Sequence, residues 1–403
     1  MKKLYIIGAG TGAEDFLTQR ALKLIKSCDV VLSTSGRLSA LLAGVREDIK
    51  EYAVSEIAGK ILAAKGLNIG LLVSGDTGFF SITGRLAQKL EGAMDIEIVC
   101  GISSLQYFCA RTGTGYENIK IVSLHGRENN ILGAVAYNPV VFALTGGTSK
   151  AHTICRELAE SGLPEIKATV GEKLSMPDER IVRGTVRELS QYIFDDLAVL
   201  LLENPGCANP YLPLRDRDFE RGEVPMTKEE IRAVTLSKLA IMPSDTVYDI
   251  GAGTGSVAIE MARKAFEGCV YAIERKEEAI ELIRKNREKL GAYNVTVVSG
   301  TAPNALEGLP RPDKAFIGGS SGNMGEIVGR LLEMNPQVHI AANAITIESL
   351  NEAVASFEEN GLDTDIVCIN SAVAKKAGRY HMMNANNPVY IVSGQRGTGK
   401  IEE

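Results

Sequence analysis

The pentapeptide Gly-Ala-Gly-Thr-Gly occurs twice in this chain of 403 residues, at 8–12 and at 251–255. Each copy follows an apolar run with the composition of a β-strand, 4–7 before the first copy and 246–250 before the second. A glycine-rich turn directly after a strand lets the backbone approach a bound ligand closely. The two turns therefore predict two small-molecule sites in one chain.

Acidic residues flank the second glycine turn in a pattern that fits a nucleoside ligand. Asp249 lies two residues before the turn, at the end of the strand 246–250, and Glu274 follows the next predicted strand, 269–273. A carboxylate at that strand end can accept hydrogen bonds from both hydroxyls of a ribose, and Asp249 lies where a ligand ammonium group would fall. Thr301 and Ala302 follow the third predicted strand, where an adenine ring would lie. The pattern predicts a nucleoside-type cofactor site in the C-terminal half.

This layout resembles that of the class I methyltransferases that bind S-adenosylmethionine. The resemblance implies a cofactor site lined by Thr227, Asp249, Gly251, Ala252, Gly253, Thr254, Gly255, Glu274, Thr301 and Ala302. One departure is that the family usually carries an acid near Thr301, whose hydroxyl is a weaker acceptor for an adenine amine. The alternative is a glycine turn that only reverses the chain, with Glu274 as a surface acid.

The first glycine turn has different neighbours. The next predicted strand, 30–33, ends without Asp or Glu, so the ribose-binding acid of the second copy is missing. Small polar residues instead follow two later strands, in the segments 74–76 (Ser-Gly-Asp) and 101–104 (Gly-Ile-Ser-Ser). Open α/β sheets bind ligands at the carboxyl ends of their strands, so the three loops together predict a second site. Residues 8–13 also fit the pattern Gly-x-Gly-x-x-Ala, which keeps a nicotinamide site as an alternative.

These N-terminal loops are similar to those of the tetrapyrrole methylases, the class III methyltransferases that act on corrin precursors. The segments 123–127, 170–175 and 179–181 share the similarity. The resemblance implies a second S-adenosylmethionine pocket lined by Gly8, Gly10, Thr11, Ser74, Gly75, Asp76, Ser103, Ser104 and Leu144. Thr11 and Thr77 stand where the family usually has prolines, which leaves the geometry of both loops open.

The C-terminal half, with Thr227 and the segment 318–322, resembles the C15-methylating, decarboxylating enzymes of cobalamin biosynthesis. The order of the halves is similar to that of the fused C5,15-methylating family. This resemblance implies that the N-terminal half methylates C5 of a precorrin-6B or cobalt-precorrin-6B macrocycle. The C-terminal half would methylate C15 and remove the carboxyl group of the C12 acetate. An RNA methyltransferase is the alternative, which the net charge of −6 opposes.

Such a substrate carries many carboxylates, so an acidic enzyme is expected to offer local cations. The candidates are Arg37, Arg111 and Arg127 in the N-terminal half, and Lys375, Arg379 and His381 on a predicted long loop before the last strand. Each of them could equally be a solvated surface charge. We assign no residue to acid–base catalysis, because transfer of an activated methyl group needs alignment and desolvation more than a strong base.

The elements that position these residues follow from the alternation of strands and helices. Alternation in residues 1 to about 112 and in 227–403 is typical of parallel sheets covered by helices, whereas 117–203 is richer in strands. Prolines and charges predict a linker at 205–226, and a capping-box pattern predicts a helix from Thr227. The fold class is therefore α/β. A tetrapyrrole-methylase fold of two α/β subdomains at 1–204 precedes a Rossmann-like class I methyltransferase domain at 227–403.

Composition limits the remaining possibilities. The seven cysteines show no Cys-x-x-Cys spacing, which argues against a disulfide framework or a zinc site, and we expect no metal bound by the protein. No apolar stretch approaches the roughly 18 residues needed to span a bilayer. We expect a cytoplasmic homo-oligomer that binds two S-adenosylmethionine molecules and a corrinoid precursor, without nucleic-acid or membrane partners.

Overall fold

The computed structural model describes residues 2–124 and 130–397. These residues divide into two compact units. The first contains 2–124 and 140–203, and the second contains 130–139 and 204–397. Both units are built from α-helices and β-sheets, which confirms the predicted α/β class.

The first sheet of the first unit is parallel and covered on both faces. Its elements are β1 (Lys3–Gly8), α1 (Gln19–Ser27), β2 (Val30–Ser33), α2 (Gly36–Leu41), β3 (Lys50–Glu51), α3 (Ile57–Ala63), β4 (Asn68–Val73), α4 (Thr83–Leu90), β5 (Asp95–Val99) and α5 (Ser104–Thr112). The spatial strand order is β3-β2-β4-β1-β5. Leu4 and Ile6 pack into one apolar cluster and Ile7 into another, because successive side chains point to opposite faces. The carboxyl ends of β1, β4 and β5 are thus adjacent.

The second sheet of this unit is mixed. Its elements are β6 (Lys120–Ser123), β7 (Val140–Leu144), α7 (Ala151–Glu160), β8 (Lys167–Glu172), β9 (Arg180–Thr185), α8 (Val186–Leu189) and β10 (Ala198–Glu203), with α6 (Ile131–Tyr137) between β6 and β7 in the chain. The strand order is β6-β7-β10-β8-β9, and only β6 and β7 are parallel. Phe108 of α5 packs with Phe142 and Leu201 of this sheet. The segment 117–203, which the sequence predicts to be richer in strands, thus contributes five strands to one mixed sheet.

The second unit contains a seven-stranded sheet and a separate two-stranded hairpin. Its elements are α9 (Glu229–Leu239), β11 (Thr246–Ile250), α10 (Ser256–Lys264), β12 (Cys269–Glu274), α11 (Glu277–Lys289), β13 (Val295–Ser299), β14 (Lys314–Ile317), α12 (Met324–Met334), β15 (His339–Ala344), α13 (Ile347–Glu359), β16 (Asp363–Ile369), β17 (Ala372–Ala377), β18 (Tyr380–Ala385) and β19 (Val389–Gln395). The spatial strand order of the seven-stranded sheet is β13-β12-β11-β14-β15-β19-β16. The strand β19 is antiparallel to both of its neighbours, β15 and β16. The order reverses between β11 and β14, where open α/β sheets bind ligands.

Helix α6 belongs to the second unit although it lies between two strands of the first unit in the chain. The hydroxyl of Tyr137 donates to the Oδ1 atom of Asn294 at 3.0 Å, and the Nδ2 atom of Asn130 donates to the carbonyl of Gly268 at 2.7 Å. Gly133 faces the carbonyl of Phe266. The segment 130–139 is thus an integral part of the second unit. The domain boundary expected at 204 would place this segment in the N-terminal domain instead.

The segment 205–226 is packed against the second unit. Phe219 is buried in the cluster formed with Leu236 and Val257. The guanidinium of the fully buried Arg232 donates to Asp216 at 2.7 Å and to Glu260 at 2.6 Å. A charge buried in this way is retained only where it is paired.

The capping box expected at Thr227 is wrong. Helix α9 begins at Glu229, and Lys228 is its N-cap without a side-chain hydrogen bond. The carbonyl of Thr227 instead accepts a hydrogen bond from Arg232 at 2.6 Å. This bond ties Thr227 to the buried charge cluster, and Thr227 lies at the rim of the cavity described below.

The long loop expected before the last strand is also wrong. Residues 372–385 form the hairpin β17–β18, which pairs with no other strand of the described residues and is exposed along its whole length. Gly378 has a φ of +62° at the turn, a conformation that glycine adopts without strain. Lys375, Arg379 and His381 are therefore strand or turn residues of an exposed hairpin.

Candidate functional sites

A cavity of about 640 Å³ opens at the carboxyl ends of β11, β12, β14 and β15 in the second unit. Its size falls in the range of small-molecule sites. The residues predicted for the C-terminal site line it, namely Thr227, Asp249, Gly251, Ala252, Gly253, Thr254, Glu274, Thr301 and Ala302, and of that set only Gly255 does not. The fold brings them together because the strands that precede them are neighbours in one parallel sheet.

Glycine at position 251 is required by a close approach of two loops. Its φ is +75°, and a Cβ atom there would lie 2.9 Å from the backbone nitrogen of Gly319. The second glycine turn therefore packs directly against the loop after β14. Because glycine has no side chain, a ligand can lie directly against the main-chain atoms of this turn.

Glu274 organises the same turn through both of its carboxylate oxygens. Its Oε2 atom accepts the amide of Gly253 at 3.0 Å, and its Oε1 atom accepts the amides of Arg275 at 2.8 Å and Lys276 at 3.0 Å. Oε2, with a single amide donor, keeps unused acceptor capacity, because an ionised carboxylate offers about four lone-pair positions. Glu274 can thus hold the loop and accept hydroxyl donors from a ligand.

Asp249 and Thr254 present buried polar atoms to the cavity without protein partners. Asp249 is completely buried and Thr254 is 1% exposed. Within the described ranges, neither carboxylate oxygen of Asp249 nor the Oγ1 atom of Thr254 has a hydrogen-bond partner at normal geometry, although the nearby amide of Ala258 favours the ionised form of Asp249. Burial, with the nearby charge of Glu274, raises the pKa of Asp249 to about 7. Unsatisfied buried acceptors are costly, so these atoms fit a site that donates to them when a ligand is bound.

The far end of the cavity is lined by neutral polar groups. Asn343 lies near the carboxyl end of β15, and Ser371 and Asn386 lie at the base of the hairpin. The Nδ2 atom of Asn386 donates to the Oγ atom of Ser371 at 3.0 Å, which closes the base of the hairpin. Sequence reasoning missed Asn343, although a polar residue near the end of an apolar run with strand composition was the signal that could have found it.

The three loops of the predicted N-terminal site meet at one edge of the first sheet. Gly10 and Gly75 exchange two backbone hydrogen bonds, of 3.1 Å and 2.7 Å. A Cβ atom at position 8 would lie 2.6 Å from the backbone nitrogen of Gly101, so glycine is required there. The structure therefore brings the loops after β1, β4 and β5 into direct contact.

Side chains in these loops have structural partners as well as exposed faces. The Oδ1 atom of Asp76 accepts the amide of Gly101 at 2.9 Å, and its Oδ2 atom accepts the amide of Gly78 at 2.8 Å. Ser103 is the N-cap of α5, where it accepts the amide of Gln106 at 3.1 Å. Asp76 therefore joins two of the loops, and Ser103 fixes the start of the helix.

Other predicted members of this site differ in their surroundings. The Oγ1 atom of Thr11 is buried and has no hydrogen-bond partner among residues 2–124 and 130–397. Ser74 is exposed, and Ser104 is the first residue of α5. Leu144 ends β7 of the second sheet and packs against the cluster that also receives Ile102.

The predicted carboxylate-binding cations are dispersed. Arg111 pairs with Glu179 at 2.9 Å. The Nε atom of Arg37 is buried and has no partner in the described part of the chain, and burial lowers the pKa of this guanidinium. Arg127 lies outside the described residues. None of the hairpin residues Lys375, Arg379 and His381 lines the cavity.

Residues 2–124 and 130–397 contain neither a metal-binding cluster nor a membrane-spanning helix. No group of three or more His, Cys, Asp or Glu side chains in this part of the chain could hold a metal ion. No helix within the same ranges is both long and apolar enough to cross a bilayer.

Comparison with known proteins assigns each half to a family. Residues 3–190 match the model of the tetrapyrrole (corrin/porphyrin) methylases, and residues 218–396 match that of the precorrin methyltransferase domain. The chain is 43% identical over 189 residues to a probable cobalt-precorrin-6B C(15)-methyltransferase (decarboxylating) of Pyrobaculum calidifontis, covering 46% of this chain and 96% of that one.

Similarity to a fused relative extends over almost the whole chain. The precorrin-6Y C(5,15)-methyltransferase [decarboxylating] of a Sinorhizobium species is 28% identical over 382 residues, which cover 93% of this chain and 92% of the relative. A crystal structure of a precorrin-6Y C5,15-methyltransferase from Geobacter metallireducens has 38% identity and a TM-score of 0.44, covering 46% of this chain and 97% of that one. The chain belongs to the decarboxylating precorrin methyltransferases, with a tetrapyrrole methylase half preceding the precorrin methyltransferase half.

Proposed function

We propose that this protein is a bifunctional S-adenosylmethionine-dependent C-methyltransferase of cobalamin biosynthesis. The N-terminal half would methylate C5 of a precorrin-6B or cobalt-precorrin-6B macrocycle. The C-terminal half would methylate C15 and remove the carboxyl group of the C12 acetate. The observation that carries the proposal is the cavity in which Asp249, Glu274 and the glycine turn converge, in a chain whose 28% identical fused relative spans both halves.

The residues of the C-terminal cavity fit S-adenosylmethionine. When bound, this cofactor supplies a methyl group already activated on a sulfonium. Glu274 would bind the ribose hydroxyls, Asp249 the ammonium group, and Gly251 would let the cofactor lie against the backbone. Asp249 and Thr254 are buried without partners, which is the condition expected of groups that a ligand satisfies. A macrocycle that covers the mouth of the cavity would exclude water from it, and the walls would align the macrocycle carbon with the methyl group.

We propose a second S-adenosylmethionine site at the loops after β1, β4 and β5. The close packing at Gly8, the bridge between Gly10 and Gly75, and the unpartnered hydroxyl of Thr11 support it. In this site Asp76 would position the loops, because its carboxylate already accepts two backbone amides. The two glycine turns would serve the same cofactor in two different folds.

The decisive experiment incubates the full chain with S-adenosylmethionine and precorrin-6B, or its cobalt form, followed by mass spectrometry. We expect two added methyl groups and loss of carbon dioxide. Gly8→Ala should remove the C5 methyl group alone, and Glu274→Ala should reduce C15 methylation alone. Methylation of bulk RNA instead of the macrocycle would favour the alternative function, which none of the similar proteins named above supports.

The raised pKa of Asp249 predicts pH-dependent cofactor binding. Its pKa in the folded protein is about 7, above its ordinary value of 3.8. The protonated group therefore adds its full contribution to the free energy of unfolding below about pH 4, and this contribution is lost as the pH rises through 7. A cationic ligand favours the ionised carboxylate. We therefore expect affinity for S-adenosylhomocysteine at the C-terminal cavity to increase by about ten-fold between pH 6 and 8.

Calorimetry in buffers of different ionisation enthalpy should detect a proton released on binding near pH 6. Asp249→Asn, which has no proton to release, is the control and should lose that pH dependence. An affinity that is flat across this range in the unmodified protein would contradict the assignment of Asp249 to the ligand ammonium group.

We further propose that the protein is a homo-oligomer in which the β17–β18 hairpin contacts a second copy of the chain. Val373, Tyr380 and Met382 lie on one face of the hairpin and are 50%, 61% and 64% exposed. An isolated two-stranded hairpin is marginally stable in water, so apolar residues on it favour a partner surface. Met382→Asp should lower the mass measured by light scattering, whereas Met242→Asp, at another exposed methionine, should leave it unchanged.

A further inference from the structure

Asn343 is held in a defined orientation inside the cavity of the second unit. It lies on β15, and its Oδ1 atom accepts the hydroxyl of Thr235 at 3.2 Å. Thr235 is completely buried on α9, so its hydroxyl has little freedom to move. This hydrogen bond fixes the orientation of the Asn343 amide group, because it holds the Oδ1 atom toward α9.

The other end of this amide has no protein partner. The Nδ2 atom of Asn343 is shielded from solvent and donates no hydrogen bond to any described atom, although the residue lines the cavity. A buried donor without an acceptor is costly, and such groups in native proteins call for a functional explanation. The donor is therefore suited to an acceptor that arrives with a ligand.

The position of Asn343 favours the macrocycle over the cofactor as the source of that acceptor. The cofactor residues Asp249 and Glu274 lie near the carboxyl ends of β11 and β12, whereas Asn343 lies on β15, with β14 between β11 and β15. Neighbouring strands are about 4.8 Å apart, which places β15 roughly 10 Å from β11 across the sheet. Ser371 and Asn386, which line the same cavity at the base of the hairpin, are neutral as well.

We propose that Asn343, oriented by Thr235, is a positioning residue that donates a hydrogen bond to a side-chain carboxylate of the macrocycle. This inference rests on the proposed function and assigns a substrate contact that replaces none of the cofactor contacts. A neutral amide holds a carboxylate without neutralising it, which suits a substrate whose acetate must remain ionised to lose carbon dioxide. The contact would align the macrocycle and takes no part in bond breaking.

The test compares steady-state C15 methylation of cobalt-precorrin-6B by the full chain and four variants, together with calorimetric binding of S-adenosylhomocysteine. Asn343→Asp keeps the shape but replaces the donor by a charged acceptor. We expect it to raise the KM for the macrocycle by about ten-fold or more, with cofactor affinity within about two-fold of the unmodified protein. Thr235→Val should show a smaller increase in KM, and Thr235→Ser should not.

Asn351→Asp, the same change at an exposed position of α13, is the matched control and should not alter KM. An unchanged KM in Asn343→Asp would overturn the inference. A loss of cofactor affinity with an unchanged KM would also overturn it and assign the donor to the cofactor carboxylate. If the unmodified chain methylates no macrocycle, the proposed function fails and this inference falls with it, whereas an active Asn343→Asp variant with an unchanged KM for the macrocycle refutes the inference alone.

Discussion

Replacing Glu274 by glutamine is expected to weaken binding of S-adenosylhomocysteine at the C-terminal cavity by about ten-fold or more, since hydrogen bonds to a charged group contribute about 1.5–3 kcal/mol. The glutamine keeps the length of the side chain but replaces one carboxylate oxygen by a donor. That donor would face either the amide of Gly253 or those of Arg275 and Lys276, which now donate to the carboxylate. The variant therefore loses charge at the ribose position and disturbs the glycine turn.

The measurement is calorimetric titration of the full chain in a Gly8→Ala background, which removes the first proposed site from the signal. Glu277→Gln is the matched control, because Glu277 begins α11 only three residues later and its side chain is 78% exposed. Glu277→Gln in the Gly8→Ala background should bind S-adenosylhomocysteine with the same affinity as the Gly8→Ala protein. Equal affinities for the Glu274 and Glu277 variants would mean that Glu274 serves only the local backbone.

Residues that follow neighbouring parallel strands could be found from the sequence. Asp249 and Glu274 end runs with strong strand composition, and parallel strands bring their carboxyl ends to one edge. A local pattern therefore sufficed to predict which side chains share the cavity. The resemblance to two methyltransferase families added the identity of the cofactor, which geometry alone does not specify.

Elements without a clear period were missed. The hairpin at 372–385 carries polar and apolar side chains on both faces, because no core covers either of them, and its alternation was therefore weak. Helix α6, unlike the exposed hairpin, is buried on nearly all sides. Six of its seven residues are buried, so it shows no polar stripe that would mark a helix face.

Long-range partners are the second reason for the misses. Asn343 acquires its orientation from Thr235, 108 residues earlier in the chain, and Tyr137 finds Asn294 across 157 residues. Propensity and periodicity describe a window of about 18 residues or fewer and contain no information on such pairs. The strand that carries Asn343 was predictable, whereas the orphaned amide was not.

Gly133→Ala is expected to lower the melting temperature of the second unit, although the residue lies in the half of the sequence assigned to the tetrapyrrole methylases. A Cβ atom at this position would lie 2.5 Å from the carbonyl oxygen of Phe266, which is backbone and cannot turn away. Overpacking of this kind costs about 1–3 kcal/mol. For a unit of this size, each kcal/mol lowers the melting temperature by roughly 2–4 °C.

Gly329→Ala provides the matched control, because Gly329 lies within α12 of the same unit and a Cβ atom there meets nothing within 4 Å. Alanine stabilises an exposed helix interior by up to about 1 kcal/mol over glycine, so this variant should melt at the same temperature or slightly higher. Differential scanning calorimetry of the full chain resolves the two outcomes. Identical melting of both variants would show that the contact of α6 with Phe266 adds nothing to stability. A selective loss in Gly133→Ala would instead mean that a C-terminal half cut from the chain at residue 205 lacks part of its own fold, so that each activity must be assigned with the full chain.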